Sequence, residues 1–220
     1  MSTPAPPFSG FPAGALSFYA ELEEHNSRDW WLAHKDAYER DVHEPMLALL
    51  DGLEDEFGEA RMFRPNRDVR FSADKSPYKT HQGALVGSGT VLGYYVQVSA
   101  DGLRAGGGFR AASSAQTARF RAAVDAPASG LALEQVLQSL RRGRFEVLGE
   151  RVKTAPRGYA ADHPRIETLR HKELMVVRDF GAPDWLSTRR ALTKVRDTWR
   201  SVRPLVEWLS QHVDSDAATS

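Results

Sequence analysis

The chain has 220 residues, 29 basic and 29 acidic side chains, and no cysteine. The lack of cysteine excludes disulfides, thiolate-held zinc and thiol catalysis, and fits a reducing compartment. No apolar run approaches the roughly 18 residues of a membrane span. Met1 to Gly14 carries four prolines and no basic n-region. The expectation is a cytoplasmic protein, long enough to build a core without staples.

The zero net charge hides an asymmetry. Residues 1–60 hold thirteen Asp or Glu against three Lys or Arg, a net −10, which leaves +10 on the remainder. Such polarity can steer an anionic ligand, or can be neutralised internally when acidic helices pack beside basic segments.

In chain order, residues 1–10 read as a flexible tail rich in Pro, Ala and Ser. A helix is predicted from about Pro12 to His25, with Leu16, Tyr19 and Leu22 on its apolar stripe. Asn26 and Ser27 break and re-cap the chain. A second helix runs from Arg28 to Val42, with Trp30, Trp31 and Tyr38 as core candidates. A third starts at Pro45, where a missing N–H costs nothing, and buries Met46, Leu49, Leu50, Leu53 and Phe57 before Gly58 ends it.

The period then changes. Val69 and Phe71 alternate with Asp68, Arg70 and Ser72, which reads as a short strand, and Leu85 to Gly87 as another. Val91 to Ala100 puts Tyr94, Val96 and Val98 on one face and Tyr95, Gln97 and Ser99 on the other. Asp101-Gly102 signals a hairpin, with Leu103 to Phe109 pairing back. Gly106-Gly107-Gly108 marks a bulge or a close backbone approach.

Ser113 followed by Gln116 is a capping-box signature opening a helix to about Val124. Further helices are predicted from Leu131 to Arg142 and from Asp162 to Arg170. A strand follows from Leu174 to Phe180. A last helical stretch, packed by Trp185, Trp199 and Trp208, starts near Asp184 or Ser187 and is kinked or split at Pro204. Strands clustered between helices define an α+β fold: a central antiparallel sheet with N- and C-terminal helices around it. The expected organisation is a single domain over 11–213, with 214–220 as a second flexible tail.

No phosphate-binding loop, complete dinucleotide fingerprint, His-Glu-x-x-His motif or nucleophile elbow is present. The histidines are scattered, so neither a metal nor a cofactor is expected. The positive signal lies between Arg61 and His81: six Lys or Arg against two Asp, with Phe71, Tyr78, Pro65 and Pro77 interleaved. Prolines stiffen such a loop, and Arg forks grip carboxylate or phosphate. The candidate ligand-binding residues are Arg67, Arg70, Asp74, Lys75, Tyr78 and Lys79, with Arg110 beyond the glycine run. For chemistry, Lys75 or Tyr78 is the candidate proton donor and Asp74 the base or orienter. The competing reading is a salt-bridged loop, with Arg67 and Arg70 paired to carboxylates such as Asp29 or Glu56. A second basic stretch, Arg141 to Arg157, reads as a solvated face.

Four stretches carry a family likeness: Phe11 to Trp30; Arg67 to Thr80, with its Arg-Phe-Ser-x-Asp-Lys-x-Pro-Tyr-Lys run; Tyr94 to Gly108; and Pro156 to Lys172. In these the chain resembles the bacterial and fungal domain of unknown function 2461. It departs at Trp31 and Ala160, where the family often carries Phe and Asp. The resemblance implies one compact domain and no activity. The residues themselves favour a pocket for a small anionic or phosphorylated ligand. A nucleic-acid partner, set against zero net charge and the acidic first sixty residues, and a protein-interaction module are the alternatives.

Overall fold

The computed structural model describes residues 7–70, 74–87 and 92–214. Helices α1 (Ala13–Glu24), α2 (Arg28–Ala33) and α3 (Lys35–Tyr38) lead through a π-helical turn, Glu39–His43, into α4 (Glu44–Phe57). Strands β1 (Ala60–Met62), β2 (His81–Val86), β3 (Leu92–Ser99) and β4 (Gly102–Arg110) follow. Then come α5 (Ser114–Asp125), α6 (Pro127–Arg142), β5 (Glu146–Leu148), α7 (Ile166–Leu169) and β6 (Glu173–Gly181). A 3₁₀ turn, Asp184–Ser187, precedes α8 (Arg190–Val213). The strands form one open antiparallel sheet in the order β1-β2-β3-β4-β6-β5, so the class is α+β as expected. Among the described residues, no helix is long and apolar enough to cross a membrane.

The chain divides into two compact units. The first comprises Met1–Val86, Tyr95–Ala105 and Asp179–Asp197. Its core gathers around Phe18, whose ring lies 5.3–5.8 Å from those of Tyr19, Trp30, Trp31 and Tyr38. Phe11, Leu22, Met46, Leu49 and Leu53 are buried with it. Ser27 caps α2 by accepting the Trp30 N–H at 3.3 Å, so the predicted re-cap is present. The second helix is not continuous. It breaks at His34 and then runs through the π turn into α4, with Pro45 in the first turn of α4. A buried polar relay crosses this unit: the Tyr38 hydroxyl donates to Gln82 at 2.6 Å, and the Gln82 amide donates to the Phe63 carbonyl at 2.8 Å. Burial pushes the Tyr38 phenol well above its ordinary range, so it stays a donor.

The second unit comprises Gly87–Tyr94, Gly106–Arg178 and Thr198–Ser220. Phe109 meets Phe120 at a tilt and Phe120 meets Trp208 edge to face in its core, and the Trp208 indole donates to the Ser129 carbonyl at 3.0 Å. The capping box is present: Ser113 accepts the Gln116 N–H at 3.2 Å, while the Gln116 side chain accepts the Ala112 N–H at 2.7 Å. The glycine run serves close approach. A Cβ on Gly106 would lie 2.0 Å from the Val176 carbonyl oxygen, so only glycine lets β4 meet β6 there. Asp162 does not cap the short helix, which is the single turn α7. Helix α8 passes Pro204 without a break.

Three strand expectations change. Asp68 to Arg70 is not strand, and Phe71 to Ala73 lie outside the described residues. The edge strands β1 and β5 are absent from the sequence expectation, since their alternation in burial runs over only three residues each. The hairpin turn occupies Ala100 and Asp101, and Gly102 opens β4 with φ +108°.

Candidate functional site

The basic segment forms a closed loop within the first unit. Arg67 N–H donates to the Pro77 carbonyl and Lys79 N–H to the Pro65 carbonyl, both at 2.8 Å, around an antiparallel bridge between Asn66 and Tyr78. Asn26 pins the loop from α1's end: its amide donates to the Tyr78 carbonyl at 3.0 Å and accepts the Tyr78 N–H at 3.1 Å. The Tyr78 ring stacks on Trp31 at 4.2 Å and is 7% exposed. Its place is thus in the core.

Most charges of the loop are satisfied within it. Arg67 pairs with Asp74, which also accepts the Ser76 N–H at 2.9 Å. Arg70 grips Asp68 with two bonds, at 3.0 and 2.7 Å, and these hold the Asp68 carboxyl down to about 2. Lys75 donates to the Val69 carbonyl at 3.0 Å, and Lys79 to the Arg64 carbonyl at 2.6 Å. Arg67 and Arg70 therefore take partners inside the segment, not Asp29 or Glu56. Arg110 belongs to the second unit and pairs with Glu173 at 2.6 Å.

Where this segment enters β2, a cavity of about 130 Å³ opens in the first unit. It is lined by Glu23, Thr80, His81, Gln97, Ser99, Asp101, Gly102, Arg104 and Asp179. The alternation of β3 explains the lining. Val96 and Val98 go to the core, while Gln97 and Ser99 face the other way. Arg104 holds Asp179 by two hydrogen bonds, at 3.1 and 2.6 Å. Burial pushes the Asp179 carboxyl up, but the Arg104 bond and the Gly181 N–H outweigh it and hold it below its ordinary range. The Tyr95 hydroxyl, pushed up to about 12 by burial, donates to the Gln97 carbonyl oxygen at 2.8 Å and leaves the amide N–H₂ free of that bond.

Among the described residues, the side chains of Thr80, His81 and Ser99 make no hydrogen bond, and since no buried side-chain nitrogen or oxygen there lacks a partner, their polar atoms reach solvent. Ser99 is only 9% exposed. Burial holds the His81 imidazole below its ordinary value, and Lys79, Arg67 and Arg104 push it the same way. Burial, then Arg64 and Arg67, depress Lys79 likewise. Five cationic or protonatable groups therefore share one neighbourhood. Among the described residues, no cluster of three His, Asp or Glu is placed to hold a metal.

Of the sequence candidates, Arg67 and Lys79 act on this neighbourhood. Thr80 and His81 lie within the basic segment, whereas Gln97, Ser99, Arg104 and Asp179 lie outside it and are not among the sequence candidates. The polar face of β3 was their available signal.

These features define an α+β chain with a polar cavity, lined by Arg104, His81 and the carboxylates Glu23, Asp101 and Asp179, on an open antiparallel sheet. The chain belongs to the family described as "Conserved hypothetical protein (DUF2461)", whose model matches residues 14–208. A search of curated proteins and of solved structures finds no match.

Proposed function

We propose that the protein binds a small anionic group, phosphate or carboxylate, in the cavity at the start of β2. At about 130 Å³ the cavity is smaller than the roughly 300–1,000 Å³ typical of drug-sized ligand sites. It suits one compact group, free or at the end of a small metabolite. The observation that carries the reading is a lining in which Thr80, His81 and Ser99 make no side-chain hydrogen bond beside Arg104, with Arg67 and Lys79 outside the lining but near enough to act on His81. A partly desolvated site strengthens hydrogen bonds to an anion. The internally paired Arg70 and Lys75 stiffen the loop that carries Arg67 and Lys79.

The test is calorimetric titration with inorganic phosphate. Arg104→Ala should weaken phosphate binding about tenfold, as loss of a charge-assisted interaction does. Absence of binding by the folded wild-type protein at millimolar phosphate would remove the reading.

A further inference from the structure

The same cavity carries a second kind of charge. Glu23, near the end of α1, and Asp101, in the β3–β4 turn, both line it. Neither carboxylate has a cationic partner among the described residues, whereas Asp179 is held by Arg104. The lining thus combines hydrogen-bonding groups and Arg104 with two carboxylates that have no cationic partner.

A simple anion entering this cavity meets attraction from Arg104 and repulsion from Glu23 and Asp101. A ligand carrying its own ammonium group turns the repulsion into a second attraction. The small volume requires the two charges of that ligand to be close together.

We infer that the ligand is a short zwitterion, an amino-carboxylate or amino-phosphate. Its anionic end lies toward Thr80, His81, Ser99 and Arg104, and its ammonium toward Glu23 and Asp101. This rests on the anion reading above and adds the cationic end. Discrimination comes from the carboxylates, which penalise anions lacking the ammonium.

The experiment compares 2-aminoethyl phosphate with ethyl phosphate, and β-alanine with propionate, by calorimetry on the full chain at fixed ionic strength. Each zwitterion should bind about fivefold tighter than its partner, the scale expected of exposed ion pairs. In the double variant Glu23→Gln, Asp101→Asn the zwitterion should weaken and ethyl phosphate tighten, so that the order is lost or reversed. Both side chains are exposed, so the variant should fold, and the wild-type comparison stands without it. If ethyl phosphate binds as tightly as 2-aminoethyl phosphate, the zwitterion inference fails and the anion reading survives. If neither pair binds, both fail.

Discussion

Asn26 shows how much a single side chain carries here. Its amide pairs with both backbone groups of Tyr78, as a neighbouring strand would, and so seats the Tyr78 ring on Trp31. Asn26→Ala leaves two backbone groups without partners and should cost about 1–3 kcal/mol, read as a lower denaturation midpoint. At the same scale, His81 and His171 set an acid limit. Burial holds both below the ordinary value of 6.5, with the Glu173 carbonyl opposing in part at His171. The unfolded chain therefore binds protons on them first. Stability is full above about pH 6.5 and declines as the pH falls through the window below it. Thermal melts from about pH 7.5 to 5.5 should show a falling Tm, and a flat profile would contradict this. Tyr78 also marks a limit of sequence reading. A tyrosine among arginines looks exposed, and only its distant partners Trp31 and Asn26 put it in the core.

Elements were legible where their signals are local. The caps at Ser27 and Ser113, the alternation of β3 and the proline opening α4 each lie within a few residues of what they determine. Ser113→Ala should cost about 1 kcal/mol and Gly106→Ala more than about 3 kcal/mol, since its Cβ has nowhere to go; chemical denaturation measures both. Asp68 to Arg70 does not form the predicted strand because the Asp68 carboxylate accepts the Arg70 N–H two residues on, a local bond that competes with a sheet ladder. Strands β1 and β5 are too short to show a period, and the sheet alone makes them strands. The π turn replaces an expected break because the chain stays helical from α3 into α4, which a local proline signal does not forbid.

At the scale of the whole molecule, the charge asymmetry was legible, and its consequence was not. The anionic first sixty residues supply Glu23, and the basic remainder supplies His81 and Arg104 together with Asp101 and Asp179, so the cavity draws on both. The segment that drew attention by composition keeps most of its charge for itself. The cavity beside it is assembled from α1, β2, β3, β4 and β6, a convergence that no local pattern encodes. Binding there should weaken as ionic strength rises, because its rim charges are exposed and screened. The most direct test of the central claim is the NMR titration of the His81 imidazole with and without phosphate. An anion bound beside His81 and Arg104 must favour the imidazolium, so the midpoint should lie below 6.5 in the free protein and rise on saturation. A His81 midpoint unmoved by saturating phosphate would contradict it.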